Sequence, residues 1–248
     1  MEIKVFSNPH AVAEAAAEHA AAIIRSAIND KKHARIVAAT GTSQFEFLDR
    51  LLILPDIDWP AVELFHLDEY IGIAPAHPAS FNRYMRERII QRVPIAKYHL
   101  LDGSRDPLQV IAETEKQLLR APIDIAFTGL GENGHLAFND PPADFATETP
   151  YLLVSLAEAT RQQQLNEDWF PSLEDVPHSA ITMSIRQILK AMDILCIATG
   201  QRKAAAVKKC FAGEVSPETP ASILQTHAHA TIFLDEDAAR SLQQSTAH

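Results

Sequence analysis

The chain alternates two kinds of apolar pattern. Short, continuous apolar runs read as strands buried on both faces: "RIVAAT" at 35–40, "AVELFHLD" at 61–68, "IDIAFTGLG" at 123–131, "SAITMSI" at 179–185, "DILCIATG" at 193–200 and "ATIFLDEDA" at 230–238. Longer segments with helical character lie between them. Asn8 and Pro9 predict an N-cap and a first helical residue for the alanine-rich stretch that follows. Residues 43–52 predict a helix capped by Ser43, and 80–93, 107–119 and 202–211 predict further helices.

Buried strands separated by helices predict an α/β fold: one domain spanning 1–248, doubly wound (Rossmann-like), with a mainly parallel sheet and helices on both faces. In such a sheet, ligands bind in the crevice beyond the carboxyl ends of the strands. The chemically unusual residues fall there. Strand 35–39 runs into "TGTS", 61–67 into "DEY", 123–128 into "GLGENGH" and 193–198 into "TGQRK". Those four ends are expected to converge on one pocket.

Composition narrows the partners. At 248 residues, with 47% hydrophobic and 22% charged residues, a sizeable core is expected. A net charge of −10 argues against nucleic acid or an anionic membrane, both of which need a basic field. A small anion would have to be held by local donors. Cys196 and Cys210 form no CxxC pair, so a reduced, cytoplasmic protein is the default. The N-terminus lacks a basic leader followed by an apolar run, and no run reaches membrane-spanning length.

The chemistry concentrates in "GLGENGHLAFNDPP", 129–142. Gly129, Gly131 and Gly134 match a dinucleotide fingerprint, but Pro141 and Pro142 leave little room for the helix that fingerprint needs, so a nicotinamide cofactor is not expected. His135 has Asn133, Asn139 and Asp140 close enough to bond one ring nitrogen and leave the other free as a general acid or base. Asp68 and Glu69 end an apolar strand. At least one is expected to point into the crevice, where burial would raise its pKa and suit it to remove a proton α to a carbonyl. Thr40, Gly41, Thr42 and Ser43 lead into a helix start, a natural anion site. Arg202 and Lys203 sit in a first helical turn, where a cation is unfavourable by roughly 0.3–1 kcal/mol unless an anion binds. His227 and His229, and His66 and His77, match no defensible metal site.

Taken in order, "LDEYIG", "HPASF", "GLGENGHLAFNDPP" and "ATGQRK" resemble the glucosamine-6-phosphate deaminase/isomerase family over residues 36 to 235. The related 6-phosphogluconolactonases share the fold, but Ala137-Phe138-Asn139-Asp140-Pro141 and "DEY" favour the deaminase side. The resemblance implies that His135 assists sugar-ring opening, Asp68 moves a proton from C2 to C1, Asp140 and Asn133 serve the histidine, and Gly134 belongs to the substrate loop. It also implies that the 40–43 loop, Lys203 and an arginine (Arg161 being the one present) hold the phosphate, with no cofactor and no metal. The chain departs from the pattern at Asn133 (Asp in the family), Asp140 (Glu), Thr42 (Gly) and Asn166, which an ungapped alignment places at the phosphate-binding arginine. A deaminase of another hexosamine phosphate such as galactosamine 6-phosphate, a lactone hydrolase and a non-catalytic sugar-phosphate sensor are the alternatives. The family includes monomers and larger assemblies, which leaves a homo-oligomer open.

Overall fold

A computed structural model describes residues 1–243. In chain order the elements are β1 (Glu2–Phe6), α1 (Pro9–Lys31), β2 (Ala34–Ala38), α2 (Phe45–Leu51), β3 (Val62–His66), β4 (Asp68–Tyr70), α3 (Phe81–Met85), β5 (Lys97–His99) and α4 (Pro107–Leu118). They continue with β6 (Ile125–Gly129), β7 (Tyr151–Ser155), α5 (Glu158–Asn166), β8 (Ser179–Met183), α6 (Ile185–Ile188), β9 (Asp193–Ala198), α7 (Ala204–Ala212), β10 (Ala230–Asp235) and α8 (Glu236–Gln243).

Seven strands pair in parallel in the order β1-β10-β9-β6-β2-β3-β5. From β2 the chain builds outward through β3 to β5. From β6 it builds the other way through β9 and β10. The switch point therefore lies between β2 and β6, where a crevice opens at the strands' carboxyl ends.

Alternate residues of each central strand supply two separate cores. Ile36, Phe127 and Ile197 pack with α1 and α2 on one face. Val37, Ala126 and Cys196 pack with α4 and α7 on the other. This double burial explains why those strands are continuous apolar runs, as expected of a parallel sheet.

The sequence expectations need correction at four places. The run 61–68 is not one strand: it breaks at Leu67, and Asp68 begins β4, which pairs antiparallel with β8 in a second sheet ordered β4-β8-β7. Leu67 joins the two sheets, donating its N–H to Ala38 and accepting one from Met183. Within segment 179–185, residues 179–183 thus belong to the small antiparallel sheet as β8, while Ser184 caps α6 and Ile185 begins it. Ser43 caps no helix. Thr42–Gln44 form a 3-10 turn and α2 starts at Phe45 without a side-chain cap. β1, with its half-exposed edge pattern, was not legible as a strand. The α1 start is as expected: Asn8 accepts from the Ala11 N–H and Pro9 is the first helical residue.

Candidate active site

At the switch point lies a cleft with about 600 Å³ of empty space. The loop after β2 contributes Thr40, Gly41, Thr42 and Ser43, the β3–β4 junction contributes Asp68, and the end of β6 with the loop after it contributes Gly129, Gly131 and His135. Lys203 enters from the turn before α7. All four strand ends converge, as the sequence pattern requires.

Asp68 and Glu69 are adjacent in a strand and so face opposite ways. Glu69 turns inward and is fully buried. Its carboxylate accepts from the N–H groups of Tyr70, Phe81 and Asn82 and from the Ser80 hydroxyl, at 2.7–3.2 Å. It thereby anchors the start of α3. Asp68 faces the cleft, and no hydrogen bond reaches its carboxylate from the described residues. Burial, then the Glu69 charge, pushes Asp68 up to about 8. Burial also raises Glu69, to about 7, while its four donors hold it below its neighbour.

His135 rests on a glycine. A Cβ on Gly131 would lie 2.3 Å from the ring, so the imidazole occupies the space a side chain there would need. Burial lowers the His135 pKa to about 4, with Asp140 opposing and Lys203 reinforcing the shift. The ring is therefore neutral at pH 7. Its Nδ1 lies 3.2 Å from the Thr160 hydroxyl and 3.5 Å from Asp140 Oδ1, and Thr160 donates to Asp140 in a short hydrogen bond. Nε2 has no partner among the described residues, on a side chain that lines the cleft.

Asn133 serves the loop rather than the ring. Its oxygen accepts the His135 backbone N–H at 3.0 Å, and its amide donates to Asp140 at 3.1 Å. Asn139 ties Leu136 and Met183 carbonyls and leaves the ring alone. The fingerprint glycines open no helix: Gly131 and Gly134 close a tight turn instead.

Lys203 is largely desolvated, which lowers its pKa, with Glu167 and Glu132 opposing the shift. Among the described residues no carboxylate lies within ion-pair distance of it, while its neighbour Arg202 sits 3.7 Å from Glu132. Gly41 and Gly200 adopt φ values of 109° and 86°, which favour glycine and turn the two loops beside Lys203.

Three expected substrate contacts lie elsewhere. Arg161 donates to the carbonyls of Leu173 and Val176, so its charge organises the 173–176 segment and does not face the cleft. Gly134 packs against Cys210 and accepts from the Ala221 N–H, outside the lining. Arg202 is exposed and sits 3.7 Å from Glu132. His227 bonds the Ala191 carbonyl, consistent with a structural loop.

Sequence reasoning missed α5. Gln163, Gln164 and Glu167 line the cleft, and Thr160 touches the histidine. The sequence carries little signal there: "EATRQQQLNE" has no apolar stripe, and only the fold shows that Thr160, Arg161 and Gln164 are buried. A helix without an apolar stripe that is nevertheless buried must be held by polar contacts.

The fold and cleft define an open α/β protein with its site at the sheet's switch point. A family model described as glucosamine-6-phosphate isomerases/6-phosphogluconolactonase matches residues 7–233, and the chain belongs to that family. Glucosamine-6-phosphate deaminase of Staphylococcus epidermidis is 37% identical over 220 residues, covering 86% of this chain and 89% of the relative. Glucosamine-6-phosphate deaminase 2 of Bacillus subtilis is 36% identical, covering 91% and 93%. A solved monomeric glucosamine-6-phosphate deaminase superposes with a TM-score of 0.89 at 30% identity, covering 97% of this chain and all of the other. A 6-phosphogluconolactonase from Trypanosoma brucei shares the fold, with a TM-score of 0.79 at 19% identity and coverage of 97% and 98%.

Proposed function

We propose that this chain is a single-domain cytoplasmic deaminase that converts glucosamine 6-phosphate and water to fructose 6-phosphate and ammonia. The observation that carries the reading is Asp68: a desolvated carboxyl group without a hydrogen-bond partner among the described residues, on the same cleft as a neutral imidazole. A carboxylate raised toward neutral pH is matched to abstracting a carbon-bound proton and returning it. The deaminase relatives support the choice of substrate.

In this reading Lys203 and the Thr40–Ser43 loop take the phosphate, which offsets the desolvation of the lysine. Nε2 of His135 moves a proton between the C1 hydroxyl and the ring oxygen, opening the sugar. Asp68 then removes the C2 proton and delivers it to C1, passing through an enolamine stabilised by the substrate's own nitrogen. The resulting C2 iminium takes up water, and the nitrogen leaves as ammonia. No resident cofactor is required by these steps.

Ammonia release is to be measured with glucosamine 6-phosphate, galactosamine 6-phosphate and 6-phosphogluconolactone as parallel substrates. The expected result is ammonia with fructose 6-phosphate from the first at the highest kcat/KM. Faster release from the galacto epimer would reassign the substrate. Lactone hydrolysis without ammonia would make the chain a lactonase, and binding without turnover would make it a sensor.

A further inference from the structure

We propose that Thr160 is a positioning residue: its hydroxyl fixes the proton of His135 on Nδ1 and so presents the Nε2 lone pair to the cleft. The inference rests on the reading of His135 as a proton-transfer group, and it adds the device that sets the direction of that transfer.

The geometry leaves the hydroxyl little choice. Asp140 Oδ1 is 3.5 Å from Nδ1, longer than a direct charge-assisted N–H···O bond of roughly 2.7–2.9 Å. The Thr160 oxygen lies between them, 3.2 Å from Nδ1 and in a short hydrogen bond to Asp140. A hydroxyl carries one proton. Asp140 collects only donors: Ala157 N–H at 2.9 Å on one oxygen, and the Asn133 amide at 3.1 Å on the other, which the Thr160 hydroxyl shares. The Thr160 proton is therefore given to Asp140, and the oxygen turns a lone pair to Nδ1. Nδ1 must then carry the ring proton. Thr160 is 1% exposed, so water does not compete for its hydroxyl.

The second link is to the helix. Thr160 shares one face of α5 with Gln163 and Gln164, at the three- and four-residue spacing that aligns side chains along a helix, and Glu167 caps the helix end seven residues on. Those three residues line the cleft. Gln164 accepts from the Tyr70 hydroxyl at 2.7 Å, and Gln163 accepts from the Glu132 N–H at 3.1 Å. The Ala157 N–H on Asp140 pins the helix start. The same helix that walls the substrate space therefore supplies the atom that sets the histidine tautomer. A displacement of α5 would free the ring proton to move to Nε2, where it would block the base.

The test compares Thr160→Val, which keeps the shape and removes the hydroxyl, with Thr160→Ser, which keeps the hydroxyl. The first readout is nitrogen NMR of the full chain labelled in its histidine rings, without substrate. The His135 signals are assigned by their loss in His135→Gln. The wild type should show a protonated Nδ1 and a bare Nε2. The valine variant should populate the opposite tautomer, and serine should restore the first. The second readout is turnover of glucosamine 6-phosphate. The valine variant should lose about 10²-fold or more in kcat with KM little changed, as a wrong tautomer does, and serine should recover most of it. A wild-type His135 protonated on Nε2 overturns the proposal even if the valine variant fails to fold. So does a folded valine variant with the wild-type tautomer and kcat, or a folded serine variant that behaves like valine. Should the wild type release no ammonia, the deaminase reading falls, while the tautomer measurement still judges Thr160 independently.

Discussion

Both ends of the parallel sheet bury ionisable groups, and they treat them in opposite ways. At the amino end, Arg35 is 2% exposed and fully partnered. It donates to Glu63 at 2.7 Å and to the carbonyls of Gln117, Leu118 and Ala121, which close the end of α4. Burial works against the Glu63 charge, but hydrogen bonds from His99 and Arg35 hold its carboxyl below the usual range. At the carboxyl end, Asp68 is equally buried and receives no hydrogen bond from the described residues. The first arrangement satisfies its ions and stabilises the fold. The second leaves a carboxyl group with nothing to stabilise its charged form, so it holds its proton up to about pH 8, and such frustration persists only where surrounding structure enforces it and a ligand can relieve it.

The sharpest break of this contrast is Asp68→Asn. Loss of a general base removes on the order of 10²–10⁴ in rate, so ammonia release should fall by at least that much. The linkage runs the other way for stability. The folded chain holds a proton at Asp68 from the ordinary carboxylate value of 3.8 up to about 8. It binds more protons than the unfolded chain in that window, so stability declines as pH rises through it. The asparagine variant should escape that decline and be more stable than the wild type by up to a few kcal/mol at pH 8, measured by urea unfolding at pH 5 and pH 8. Turnover of the wild type should correspondingly rise with pH toward about 8, as Asp68 ionises. An asparagine variant with near-normal turnover would remove Asp68 from its role.

Arg35→Met probes the satisfied end. Removing one partner of a buried pair costs about 3–5 kcal/mol, and the carbonyls ending α4 lose their donors as well. The unfolding free energy read from urea melts should drop by that amount. The pH at which turnover rises should not move, because Arg35 and Asp68 lie at opposite ends of the strands. A shifted pH profile would mean that the two ends are coupled.

What the chain disclosed before folding follows the same division. Strands β2, β6 and β9 were legible because burial on both faces writes an unbroken apolar run. Asp68, His135 and Lys203 were legible because polar residues at the ends of such runs have few structural reasons to be there. Arg161 misled: the family resemblance implied a phosphate ligand near it, whereas two backbone carbonyls of the 173–176 segment take up its donors. Thr160 was silent, since a threonine in a polar helix carries no signal until the fold sets it against a ring from 25 residues away. Local pattern reports burial of apolar surface, and polar burial is decided by tertiary contacts.

Gly131→Ala tests how tightly the frustrated end is built. The backbone at 131 is not left-handed, so the fold should tolerate alanine there. The new methyl would meet the imidazole at 2.3 Å and must displace it. A displacement near 1 Å costs about 10²-fold in rate. The expected result is a folded variant with kcat down by that order. Unchanged kcat would show that the ring's seat on the glycine is irrelevant to turnover.

The smallest expected effect distinguishes the two kinds of neighbour around His135. Asn133 donates its amide to Asp140 at 3.1 Å and accepts the His135 N–H through its oxygen. Aspartate at 133 would preserve the acceptor but set a second carboxylate against Asp140. The pair would then share a proton or repel, and the negative charge near Nδ1 would grow in either case. Negative charge favours imidazolium, so the His135 pKa should rise from about 4. Histidine NMR across pH 3–7 reads this directly. Since the ring stays neutral above pH 6 in both proteins, turnover at pH 8 should change only slightly. A His135 pKa that stays put or falls in Asn133→Asp would mean that desolvation alone governs the ring, and that the amide serves only to hold the loop.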